Sequence, residues 1–140
     1  MNLGQIIQSH ALSFFHLSSP DLLLGFDSTP EKRNVFGLME AEPELARRGI
    51  RLRKYGQEII AALGGQKIHP AWAVPGGVRE GLSEEGRKAL LEFLPEARET
   101  TFVALELFKK LLDTFPREVA SFGNFPSLFL GLVTPDGLWE

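Results

Sequence analysis

The chain contains no cysteine, only one tyrosine, no surplus of positive charge and no long apolar run. Without cysteine it can form no disulfide and no thiolate nucleophile, and it can supply no Cys ligand to zinc or to an iron–sulfur cluster. Fifteen Lys+Arg against 18 Asp+Glu leave a net charge of −3, which argues against nucleic-acid binding, because release of condensed counterions needs a basic face. No apolar stretch approaches the ~20 residues required to span a bilayer. The first cation is Lys32, so the basic start of a secretory signal is missing as well. What is present is ordinary globular material: 140 residues, 44% hydrophobic and 24% charged. A chain of this size would bury roughly 70% of its unfolded surface around one core. The aromatic content is unusual, with 11 Phe and 2 Trp beside the single Tyr. Phe lacks the polar handle that lets Tyr sit at a wet rim, so this excess points to surface reserved for a partner.

The periodicity predicts a mainly α chain. Leu3, Ile7, His10, Phe14 and Leu17 recur at helical spacing, and Ser18-Ser19-Pro20-Asp21 reads as the stop of a helix over Leu3–Leu17. A short apolar run, Leu22–Phe26, leads into a loop over Asp27–Asn34. A second helix is predicted over Pro43–Leu63, opened by Pro43 and stopped by Gly64-Gly65. Gly49 and Gly56 fall on its apolar face, which suggests close approach of another backbone. The five cations between Arg47 and Lys54 read as a solvated face. Ser83 followed by Glu84 and Glu85 caps a third helix, and Pro95 reads as a break that starts a fourth. Small β elements are predicted at 71–74 and over 128–139, where the apolar run Leu128–Val133 meets a turn at Thr134–Gly137 and returns through Leu138. Helix signals begin at residue 3 and the ribbon stops just after its turn, so 1–140 reads as a single fragment of a larger helical domain.

Few residues suggest chemistry. His10 and His16 are six apart, without the spacing of a chelating pair. His10 lies on the apolar stripe, which suits either a core histidine or a supporting role near a site, and His16 falls off the stripe and reads as exposed. His69 precedes Pro70, which predicts an extended backbone, in a Gly- and Pro-rich loop rigid enough to aim an imidazole. Either a structural hydrogen bond or a functional contact fits it. No phosphate-cradling glycine motif and no nucleophile elbow occur.

Two longer stretches, QSHALSFFHLSSPDLLLGFD and GGQKIHPAWAVPGG, taken together resemble the central part of the nickel–iron hydrogenase large subunit, most of all its NAD-linked cytoplasmic group. KRNVFGL, IRLRKYGQEII and FGNFPSLFLGLV fit that group in the same order. The related quinone-site subunit of respiratory complex I shares a similar Ser-His start but not the continuation. The resemblance implies reversible H2 oxidation at a nickel–iron centre, iron–sulfur clusters in a small partner subunit, and an NAD-reducing module downstream. The family holds its metals with two C-x-x-C motifs, and neither occurs here, so the resemblance is to scaffold between the ligands and implies no activity or cofactor in this chain alone. Gly64, Gly65, His69 and Pro70 match a G-G-x-x-x-H-P motif, which implies that His69 neighbours the proximal iron–sulfur cluster at the subunit border. Gly76 and Gly77 match the glycine pair that follows, implying close packing at the same border. His10 matches the helical Ser-His motif, implying a place just outside the metal pocket. A stand-alone helical interaction module, binding a protein through its Phe-rich surface, is the alternative.

Overall fold

A computed structural model describes residues 1–128 and 130–138. The chain is mainly helical. Helix α1 (Asn2–Leu12) runs through a π-helical turn at Ser13–Ser18 into α2 (Ser19–Leu24), and α3 (Val35–Ala41), α4 (Pro43–Gly64), α5 (Glu84–Leu112) and α6 (Pro116–Ser121) follow. Between α4 and α5 the strands β1 (Ala73–Val74) and β2 (Gly77–Val78) form an antiparallel hairpin, Ala73 opposite Val78. The expected strand at 71–74 is thus shortened to two residues. Pro75 and Gly76 (φ 87°) supply the turn, the Gly taking a positive φ that other residues resist. No helix among the described residues is long and apolar enough to cross a membrane.

The core lies where α1 and the π-helical turn cross α4, with α5 laid over the far side. Ala11, Phe15, Leu52, Tyr55 and Ala97 are buried there, flanked by Ile7, Phe14, Ile59 and Phe93. The predicted close approach is real at Gly56: a Cβ there would sit 2.6 Å from the Gln8 backbone nitrogen and 2.7 Å from the Gly4 carbonyl oxygen. At Gly49 the neighbour is a side chain instead, since a Cβ would lie 2.6 Å from Phe15 Cβ. The absence of side chains at Gly56 and Gly4 lets α1 and α4 touch through their backbones.

Three sequence expectations fail. The helix over Leu3–Leu17 does not stop at Ser18–Asp21. The π-helical turn widens the ladder by one residue, so that the Ser19 N–H reaches the Phe14 carbonyl and Ser19 Oγ donates to the same oxygen at 2.6 Å. The wider turn carries the chain through Pro20 and resets the buried face, with Phe15 and Ser19 turned inward and Leu17 left 66% exposed. Nor does Pro95 break α5, which is continuous over 29 residues. Its missing hydrogen bond is offset by α4, which fastens both flanks of the proline: Tyr55 Oη donates to the Leu90 carbonyl at 3.0 Å, and Arg51 and Arg48 pair with Glu96 and Glu99 at 2.5 and 2.8 Å. Arg51 stays on the solvated face, whereas Arg48 is half-buried, and both reach across to the neighbouring helix. At the C-terminal end, Phe129 and Trp139 lie outside the described residues, and the described remainder of 128–139 forms no strand beyond an isolated bridge at Val133. The Thr134–Gly137 turn itself is formed, with Gly137 N–H donating to the Thr134 carbonyl at 2.9 Å. Two helices went unpredicted, α3 and α6. The first is capped by Asn34, whose side chain accepts from Phe36 and Gly37 N–H.

Candidate functional site

Three segments bear the histidines weighed in the sequence. His69 sits at the end of the loop that follows α4. Gly65 closes that helix in the left-handed region (φ 76°), and the Gln66 side-chain amide donates to the His69 carbonyl at 2.6 Å, drawing the loop into a tight bend. The bend gives His69 a φ of 48°, so its backbone is left-handed where an extended one was predicted from Pro70. Its imidazole is exposed. Pro70 is seated on Gly64, where any Cβ would collide with the proline ring and lie 3.1 Å from Met1 Cε. Lys67 is tied back to Glu58 on α4 at 2.9 Å. The loop is therefore anchored at Gly64 and Pro70, and it presents His69 outward. A Cβ on Gly76 or Gly77 would meet nothing within 4 Å, so no close packing at that pair is made by the described residues.

His10 is not the core residue its place on the stripe suggested. It is exposed, and its Nδ1–H donates to the Ile6 carbonyl one turn back at 2.9 Å. It stands on the rim of an open apolar groove of about 310 Å3 whose walls include Ile6, Phe14, Leu52, Thr101 and Ala104.

His16, expected to be exposed, is half-buried, because the π-helical turn rotates it toward α4. Burial and the nearby Arg53 guanidinium hold its pKa below the ordinary histidine value, with the Ala11 carbonyl working in the opposite direction. Arg53 Nε and Trp72 Nε1 are buried without hydrogen-bond partners among the described residues. Sequence reasoning misses Arg53 because the run of cations around it reads as one solvated face. Its spacing of four from Gly49 and three from Gly56 places it beside the packed stripe, and that signal was available.

These three histidines do not converge. Among the described residues no group of three or more His, Asp or Glu side chains could hold a metal ion. With no thiolate anywhere in the sequence, the donor set does not fit a nickel–iron centre, which needs soft ligands.

No protein-family model matches the chain. Over 133 residues it is 39% identical to the vhu-type F420-non-reducing hydrogenase subunit of Methanocaldococcus jannaschii, covering 95% of this chain and 32% of that one. It is 38% identical to the beta subunit of the NAD-reducing hydrogenase HoxS of Cupriavidus necator, covering 95% of this chain and 28% of that one. Among solved structures, an NAD+-reducing [NiFe]-hydrogenase in the H2-reduced state superposes with a TM-score of 0.85 at 48% identity, over 96% of this chain and 30% of that one. The chain is hydrogenase-related, and it spans about a third of the length of the curated relatives it matches.

Proposed function

We propose that these 140 residues are the central scaffold of a nickel–iron hydrogenase large subunit, whose complete assembly oxidises H2 reversibly and passes the electrons to NAD. The observation that carries this reading is the match of nearly the whole chain to under a third of an NAD+-reducing [NiFe]-hydrogenase chain at 48% identity. Surface area supports it independently. The chain exposes 10722 Å2, whereas a folded monomer of its mass exposes about 7200 Å2. Such an excess suits a segment whose faces are covered by other protein.

Within that assembly the metals are held by cysteines that this chain does not contain, and the chain alone has no hydrogenase activity. Its own contribution is positional. The loop fastened at Gly64 and Pro70 holds His69 at the border with the small subunit, beside the proximal iron–sulfur cluster. There an imidazole donor stabilises the reduced cluster and sets its potential. Gly76 and Gly77 leave the same border without side chains. His10, steered by the Ile6 carbonyl, faces the neighbourhood of the metal pocket. The partners are the small subunit and the NAD-reducing module, in the cytoplasm.

The test is a chimera in which the matching stretch of the Cupriavidus necator subunit is replaced by this chain. The chimera is expected to assemble, take up nickel and reduce NAD with H2. Within it, His69→Ala should leave nickel content intact and shift the potential of the proximal cluster. A chimera that takes up no nickel, together with a 140-residue chain that is a compact monomer binding no hydrophobic dye, would overturn the reading.

A further inference from the structure

His69 is the one non-glycine among the described residues whose φ is positive, at 48°. Side chains with a Cβ resist that region, and a following proline pushes the residue before it toward extended backbone. A sparsely populated backbone of this kind persists only where its surroundings hold it, and such positions cluster at functional sites. Two contacts fix the ends of the loop: Pro70 is packed on Gly64, and Lys67 is tied to Glu58 on α4 at 2.9 Å. At His69 itself, the one backbone hydrogen bond among the described residues comes from the Gln66 side-chain amide to the His69 carbonyl, at 2.6 Å. The unusual backbone does nothing for the packing of the chain. The His69 imidazole is exposed and makes no hydrogen bond or ion pair among the described residues.

We propose that Gln66 is a positioning residue for His69, holding its backbone in the left-handed region so that the imidazole is presented outward to covering protein. Without the bond, the residue before Pro70 relaxes to extended backbone, its Cα–Cβ direction turns, and the ring is carried elsewhere. A neutral amide suits the task, because it donates an N–H without adding charge beside the imidazole. The covering surface then meets a ring whose direction is set before contact, and less ordering is needed when the two come together. The consequence for electron transfer rests on the reading of His69 as a neighbour of the proximal cluster. There Gln66 acts through the direction of the imidazole, which decides how well the ring donates to the cluster and so where its potential lies.

Gln66 is exposed, so Gln66→Met removes the amide without opening the core. In the 140-residue chain, NMR reads the His69 backbone through the strong contact between its own amide and α protons that a positive φ produces. Loss of one hydrogen bond should lower the ratio of left-handed to extended backbone about fivefold in Gln66→Met. Gln66→Lys, which keeps an N–H donor at similar reach, should retain the left-handed form. In the chimera with the Cupriavidus necator subunit, Gln66→Met and His69→Ala should each move the potential of the proximal cluster. Adding Gln66→Met to His69→Ala should move it no further, since one residue acts through the other. An unchanged His69 backbone in Gln66→Met, or one released equally in Gln66→Lys, would overturn the proposal whatever the chimera does. A Gln66→Met shift of the same size with and without His69 would overturn it too, because Gln66 would then act by another route. If His69→Ala leaves the potential unchanged while Gln66→Met still releases the backbone, the place beside the cluster falls and the positioning of His69 stands.

Discussion

The crossing of α1 and α4 and the stretch after α5 are made of similar apolar residues put to opposite use. At the crossing, Phe15 is 2% exposed and Gly4 and Gly56 bring two backbones into contact. After α5, Phe122 is 90% exposed and Leu128 101%. Apolar content alone therefore does not make a core. What distinguishes the first region is partner geometry, small residues facing one another across two helices, whereas in the second Phe115 meets Phe26 edge-on but Phe122, Phe125 and Leu128 stay exposed. As part of a larger hydrogenase subunit, the second region would be covered by its neighbours.

Truncating one phenylalanine in each region breaks the comparison most directly. Phe15→Ala should cost about 3–5 kcal/mol, the range for emptying a packed aromatic site, whereas Phe122→Ala should change stability by no more than about 0.5 kcal/mol. Chemical denaturation of both variants beside the parent chain checks this. Similar losses would mean that the tail packs in solution. Dye binding should fall in Phe122→Ala and rise in Phe15→Ala, since only the second opens the core.

Glycines give the next largest contrast. Gly56→Ala places a Cβ against the Gln8 nitrogen and the Gly4 carbonyl, backbone atoms that cannot swing aside, and should destabilise by about 1–3 kcal/mol. Gly131→Ala meets nothing within 4 Å and should be neutral within about 0.5 kcal/mol. Thermal unfolding of the pair is sufficient, and a neutral Gly56→Ala would show that the helices can part without cost.

These contrasts also mark what could be read from sequence. Gly49 and Gly56 announced a close-packed face because glycine in a helix interior needs a reason. Gly64-Gly65, Ser83 and the Thr134–Gly137 turn were legible because caps and turns act within a few residues. The prolines misled. Pro20 and Pro95 each carry a strong local penalty, and each is overruled by something non-local or unusual, a π-helical turn at the first and the grip of α4 at the second. The candidate site divided in the same way. His69 and its glycines were singled out through a motif, yet its left-handed backbone depends on a bond from Gln66 that no propensity contains. His16 was misjudged because a single inserted residue in the turn moves it from the outer face to the inner one.

Tyr55 sharpens the account of Pro95. Its hydroxyl donates to the Leu90 carbonyl, and burial pushes its pKa up. Tyr55→Phe keeps the ring against Phe93 and removes only that bond, so it should cost about 0.5–1.5 kcal/mol. Hydrogen exchange locates the effect: amides of α5 on either side of Pro95 should lose protection before those of α1. Uniform loss over both helices would assign Tyr55 to the core in general and not to the proline.

The smallest effect expected is one of pH, and it concerns the most ambiguous residue of the packed region. In the folded chain the His16 pKa is depressed by burial first and by Arg53 second. The unfolded chain, with an ordinary histidine near 6.5, then binds a proton more readily than the folded one as pH falls. The stability tied to the neutral ring is thus fully present above about pH 6.5 and is lost progressively as pH falls through the lower folded value. His16→Asn should flatten that part of the profile, while His10→Asn and His69→Asn, both at exposed positions, should leave it in place. Urea midpoints measured from about pH 8 down to about pH 5 for the three variants test this. If the slope survives in His16→Asn, the acid sensitivity belongs to another group. If it disappears, a histidine that looked like surface in the sequence is part of what holds the π-helical turn against α4.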